Sequence, residues 1–209
     1  MRLYLASTSP ARLATLRAAG IEPEVVPSHV DEDGLVAATE LERGHVLAPA
    51  EMVLLLAQAK ADAVITPEMD GLVLGGDSAF VLDGVTYGKP HQSHVARERW
   101  LTQRGRTGEL FSGHWLVRVS NGVVTGAIGE VAVAGVTFAN DITDAELDAY
   151  IDSGEPLQVA GAFTIDSLGG PFITRIEGDP STVIGVSLPT VRRLANKLGV
   201  FWPDLWNRD

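Results

Sequence analysis

Five short stretches carry side chains whose type and spacing could do chemistry. In LASTSPAR, Ser7-Thr8-Ser9 stands between a short apolar run and a helical pattern opened by Pro10, with Arg12 in the first turn. A helix N-terminus presents free N–H groups and about half a positive charge, so it attracts anions. Ser7 and Ser9 could add hydroxyl donors there, and Arg12 a two-pronged guanidinium. Simple capping by Ser9 explains the serine equally well. Arg12, however, opposes the helix dipole unless an anion lies there.

Lys60 falls on the same 3.6-residue stripe as Val53, Leu56, Ala57 and Val64. It is either a lysine that snorkels from the edge of the stripe or an inward cation for a phosphate. Asp77 follows an apolar run and the pair Gly75-Gly76, where backbone can approach a ligand closely. A carboxylate so placed suits a general base or a metal ligand. Asp31-Glu32-Asp33 offers further carboxylates that could hold Mg²⁺, or form an ordinary solvated loop. Lys89 lies in Gly88-Lys89-Pro90; a two-residue turn at Asp83-Gly84 sets it opposite Ser78, within about one residue of Asp77 along the hairpin. His91 and His94 have no third ligand nearby, so a zinc site is not expected.

The elements that must position these groups can be read from periodicity and punctuation. Leu3–Ala6 is a strand, and Ser9 caps a helix that closes at Gly20. A strand is expected over 21–26 and mostly loop over 29–48. A helix runs from Pro49 to about Thr66, and a hairpin turns at Asp83-Gly84. A helix over 92–104 precedes a long antiparallel pair, 111–119 with 123–138, joined by Asn121-Gly122. Thr143 and Glu146 form a capping box for a helix ended by Gly154. AGAFTID and PFITRIEGD read as strands, and SLPTVRRLANKLG as the last helix. Hairpins mixed with helices imply an α/β or α+β fold with a mixed sheet, not a doubly wound parallel one.

Composition narrows the function classes. The 209 residues carry a net charge of −11 and 45% hydrophobic residues, with no cysteine. Disulfides and thiolate metal sites are excluded, which fits a cytoplasmic location. No basic footprint for nucleic acid is visible. No run reaches the roughly 18 apolar residues of a membrane span, and the start does not read as a signal peptide. A phosphorylated small molecule would need local cations or a metal ion to overcome the repulsion.

Together these stretches resemble the Maf family of nucleoside triphosphate pyrophosphatases, along nearly the whole chain. LASTSPARLATLRAAG is similar to the family's Ser-x-Ser-Pro-Arg-Arg opening, Asp31-Glu32 to its Asp-Glu pair, and Ala59-Lys60-Ala61 to its Ala-Lys-Ala. Gly76-Asp77-Ser78 matches Ala-Asp-Thr, Gly88-Lys89-Pro90 matches Gly-Lys-Pro, and SGEPLQVAGAF, EGDPSTVIG and SLP resemble the C-terminal blocks. The variants GGDS, VAGAFTID and GVSLP look most like the actinobacterial branch.

The resemblance implies one Maf-like domain over residues 1–209, an elongated, two-lobed, ITPase-like α/β fold around a cleft, and a homodimer. It implies hydrolysis of a nucleoside triphosphate to the monophosphate and pyrophosphate, as disposal of non-canonical nucleotides, with a link to division arrest. Asp77 would accept the proton of the attacking water. Glu32 and Asp77 would hold a divalent cation, Mg²⁺ or Mn²⁺. Ser7, Ser9, Arg12, Lys60 and Lys89 would grip the triphosphate. Ser78 is closer to the Ala-Asp-Thr of the dTTP/UTP-hydrolysing members than to the glutamine of the 7-methyl-GTP group. Two other readings share nucleotide binding: a regulatory module without turnover, and a nucleotidyltransferase, whose loop would be richer in glycine than STSPAR.

The chain departs from the family pattern at several positions. Ala11 replaces the first arginine of the opening and Gly108 a histidine. Gln158-Val159 replaces an Asp-Lys pair, Asp166 a common glutamine, and Thr182 a common asparagine. Ala11 and Asp166 bear on the choice of nucleotide more than on the reaction.

Overall fold

The computed structural model describes residues 1–207. The order of elements is β1 (Leu3–Ala6), α1 (Pro10–Ala18), β2 (Glu24–Val25), α2 (Glu32–Arg43), α3 (Pro49–Asp62), β3 (Gly71–Leu82) and β4 (Val85–Tyr87). Then come α4 (Ser93–Gln103), β5 (Thr107–Ser120), β6 (Val123–Phe138), α5 (Asp144–Asp152), β7 (Ile173–Glu177), α6 (Pro180–Ile184) and α7 (Leu188–Lys197). The strands are hydrogen-bonded in the order β2-β1-β3-β5-β6-β7, with β4 paired to β3. β1 is parallel to both neighbours, matching Tyr4 with Glu24 and Ala6 with Gly75. β4 is antiparallel to β3 and β7 to β6, so the sheet is mixed and the α/β class holds.

The chain divides into two compact units, residues 1–77, 112–132 and 185–209 in one, 78–111 and 133–184 in the other. The first unit has two apolar clusters. Leu3, Leu5, Leu72 and Leu74 meet Leu16 of α1 and Val191 and Leu194 of α7, while Tyr4, Ala6 and Val73 meet Ala61 and Val64. β1 and the first half of β3 are therefore covered on both faces, which is why their sequences run apolar without alternation. The second unit is built on aromatic rings: Phe80 and Phe138 meet Phe163 edge-on at 5.1 and 5.0 Å. Trp100 meets Phe138 edge-on as well.

The local signals mostly give the elements they announce. Asp83-Gly84 and Asn121-Gly122 all have positive φ, the geometry of type I′ turns. Thr143 accepts from Glu146 N–H while the Glu146 carboxylate accepts from Thr143 N–H. Helix α3 is shorter than expected, stopping at Asp62, and the strand expected over 21–26 shrinks to Glu24–Val25.

Two expectations fail. Residues 29–48 are not mostly loop: Glu32–Arg43 is a helix. Asp31 caps it by accepting from Gly34 N–H, Glu32 and Asp33 lie in the first turn, and Gly44 closes it in the left-handed conformation. Second, AGAFTID is not a strand. Gly161 and Ala162 both have positive φ, and their carbonyls accept from the side chains of Gln103 and Trp100 instead of from a neighbouring strand. A Cβ at Gly161 would come within 2.8 Å of the Phe80 ring, so the turn is fixed by packing as well as by hydrogen bonds.

Candidate functional site

In the first unit, β1, β3, α1, α2 and α3 bring together six of the residues singled out in the sequence: Ser7, Ser9, Arg12, Glu32, Lys60 and Asp77. Ser7 follows β1 directly, and its Oγ accepts from Ser9 N–H at 3.2 Å and from Arg12 Nη1 at 3.0 Å. With those acceptor positions taken, what Ser7 offers a ligand is its O–H. Ser9 caps α1, its Oγ accepting from Arg12 N–H at 3.4 Å. Arg12 also donates through Nε to the Gly185 carbonyl at 3.0 Å. The guanidinium that opposes the α1 dipole is thus folded inward, onto a hydroxyl and a carbonyl.

Lys60 does not snorkel. It faces inward from α3, its Nζ 2.7 Å from Asp77 Oδ1 and 2.8 Å from Glu32 Oε1. Arg12, Lys60 and Asp77 are 9%, 7% and 9% exposed, so three formal charges are nearly withdrawn from water. Glu32, at the first turn of α2, stays half exposed and closes the group from outside.

Glycine makes this approach of α3 possible. A Cβ at Gly75 would lie 2.0 Å from the Ala57 carbonyl oxygen, and one at Gly113 on β5 would lie 2.3 Å from that of Val53. The helix backbone therefore rests directly on β3 and β5. That contact carries Lys60 to Asp77, two residues beyond Gly75 on the same strand.

Electrostatics at the centre are set first by burial. Desolvation pushes the Asp77 carboxyl above its ordinary value, against the downward pull of the Lys60 and Arg12 charges. Burial lowers Arg12 against the opposing pull of Asp77 and Glu32, and the group stays cationic at neutral pH. The arrangement offers fixed cations, a carboxylate of raised basicity and hydroxyl donors: a setting for a phosphorylated ligand and a proton transfer.

Lys89 belongs to the second unit. The hairpin register is the expected one, Leu82 with Val85 and Phe80 with Tyr87, but the ladder stops at Tyr87. Lys89 lies beyond it and is exposed. The Gly185 carbonyl, which fixes Arg12, was missed from sequence, because a backbone acceptor has no side-chain signature. Among the described residues no group of three or more His, Asp or Glu side chains could hold a metal ion. The donors present are the Asp77 and Glu32 carboxylates, hard oxygens of the kind Mg²⁺ and Mn²⁺ take together with substrate phosphates. The residues fit such a cation.

A protein of Leifsonia xyli subsp. xyli named nucleoside triphosphate pyrophosphatase is 66% identical, over 100% of this chain and 98% of its own. One of the same name from Rhodococcus opacus is 50% identical over 97% and 94%. A solved HAM1 protein from Coxiella burnetii is similar at 14% identity, with a TM-score of 0.45 over 92% of this chain and 98% of that one. The family description "Maf-like protein" matches residues 2–198, nearly the whole length, and the chain belongs to the Maf family.

Proposed function

We propose that this protein hydrolyses a nucleoside triphosphate to the nucleoside monophosphate and pyrophosphate. The observation that carries the proposal is the buried group of Arg12, Lys60 and Asp77 beside the hydroxyls of Ser7 and Ser9, in a chain 66% identical to a named nucleoside triphosphate pyrophosphatase. Water attacks the α-phosphorus and gives its proton to Asp77. The bond from the α-phosphorus to the bridging oxygen breaks, and pyrophosphate leaves with that electron pair. Burial raises the proton affinity of Asp77, which suits a base. Ser7, Ser9, Arg12 and Lys60 bind and orient the phosphates, and positioning with charge stabilisation is what phosphoryl chemistry gains from most. Lys89 is assigned the same task from its Gly-Lys-Pro motif.

Glu32 and Asp77 would hold a divalent cation, Mg²⁺ or Mn²⁺, which when bound offsets phosphate charge. We further read the chain as one functional domain, since the family match spans residues 2–198, and as a cytoplasmic homodimer. The absence of cysteine is compatible with that location, and no helix among the described residues is long and apolar enough to cross a membrane.

The test is a product assay. A panel of canonical and modified triphosphates is incubated with the protein and Mg²⁺, and both products are identified. Monophosphate and pyrophosphate are expected. Release of orthophosphate, or no turnover across the panel, overturns the reading. Binding without turnover would instead favour the regulatory module.

A further inference from the structure

We propose that Lys60 is an internal cation that shuts the carboxylate pair against free divalent metal, so that metal enters only together with the triphosphate. The proposal rests on the functional reading above and deepens it. Lys60 Nζ lies within 2.8 Å of one oxygen of Asp77 and one of Glu32, the two carboxylates a metal would need. Among the described residues no further acidic or histidine side chain completes a trio with them. A dication arriving alone has either to share the two carboxylates with the ammonium, close to a like charge, or to displace it. At 7% exposure, that ammonium has little water to fall back on. An unpaired buried charge is among the costliest groups a fold can hold.

The charges of the group sharpen the argument. Arg12 and Lys60 carry two positive charges, and Asp77 and Glu32 two negative ones, so the cluster is formally neutral as it stands. It has no surplus negative charge with which to draw in a free dication. A triphosphate changes the exchange. Its oxygens supply new partners for the Lys60 ammonium, which frees the carboxylates as the cation arrives. Metal and nucleotide then bind with positive coupling, and by linkage each tightens the other by the same factor.

Calorimetry with Mn²⁺ tests the proposal. Mn²⁺ titrated into wild-type protein alone should bind at least tenfold more weakly than Mn²⁺ titrated into Lys60→Met, whose carboxylate pair is no longer bridged. Adding Glu32→Gln to Lys60→Met should abolish that gain. Wild-type protein that binds free Mn²⁺ as tightly as Lys60→Met overturns the proposal, as does a gain that survives Glu32→Gln. Should Lys60→Met not fold, Lys60→Gln carries the same comparison. The wild type also decides on its own: free Mn²⁺ should bind at least tenfold more weakly than Mn²⁺ loaded on a non-hydrolysable triphosphate, and equal affinity overturns the lock. Failure of the loaded analogue to bind wild type counts against the pyrophosphatase reading instead, while the nucleotide-free comparison still decides the role of Lys60.

Discussion

At Asp77 burial and neighbouring charge pull in opposite directions, and burial wins. A carboxyl whose folded pKa lies above its unfolded one gives stability that is present below the unfolded value and is lost as pH rises through the folded one. The ionised form is therefore held at a cost, which Lys60 and Arg12 reduce. Asp77→Asn should lower turnover by about 10²–10⁴-fold, the usual worth of a positioned base. The melting curve should stay cooperative, because Lys60 keeps Glu32 at 2.8 Å. Full activity of this variant would remove Asp77 as the base. Lys60 pulls the Asp77 pKa down, so Lys60→Met should move the acid limb of the kcat/KM profile to higher pH than in wild type; an unmoved limb would show that Asp77 does not set it. Much of this group was legible in the sequence. Helical periodicity put Lys60 on the apolar stripe, leaving open whether it snorkels or faces inward, and Arg12 stood out as a cation at the wrong end of a dipole. What the sequence concealed was that Arg12 has carboxylates near it in the fold itself, and that Lys60 bridges two of them. Such partnerships join positions 17 and 28 residues apart, and no local pattern encodes them.

Between elements, the decisive contact is α3 against β3. Gly75→Ala would place a methyl carbon 2.0 Å from a helix carbonyl, so α3 must move. Overpacking of this kind costs about 1–3 kcal/mol. Because α3 carries Lys60, the variant should also lose turnover, with the loss of activity measured well below the melting temperature. A variant that is destabilised but fully active would mean that the Lys60 to Asp77 distance is not critical. The elements were legible wherever their own residues decide them: the Asn-Gly and Asp-Gly turns, the Thr143 capping box, the Ser9 cap. Helix α2 was misread because none of its residues is buried, so it lacks the apolar stripe that marks a packed helix. Its signals were the Asp31 cap, two acids in the first turn and Gly44 at the end. AGAFTID was misread for the opposite reason. Its composition suits a strand, but the side chains of Gln103 and Trp100, some 58 and 62 residues away, claim its carbonyls.

Over the whole molecule, a net charge of −11 faces a substrate that is itself a polyanion. The cluster of Arg12, Lys60, Asp77 and Glu32 is formally neutral, so it does not steer a triphosphate from a distance. The long-range field is therefore that of the acidic surface, and it repels. Screening length falls from about 30 Å at 0.01 M salt to about 8 Å at 0.15 M, which removes distant repulsion. The contacts of Lys60 and Arg12 act at hydrogen-bond distance and out of water, where salt screens little. The two effects have opposite signs, and their ranges decide between them. With saturating Mg²⁺, kcat/KM should rise as salt increases from 0.01 to 0.15 M, while kcat changes little. Most enzymes that capture polyanions with a basic surface would show the reverse. A steep fall in kcat/KM over that range would mean that exposed cations such as Lys89 guide the encounter, and that surface charge near the site, not net charge, governs capture.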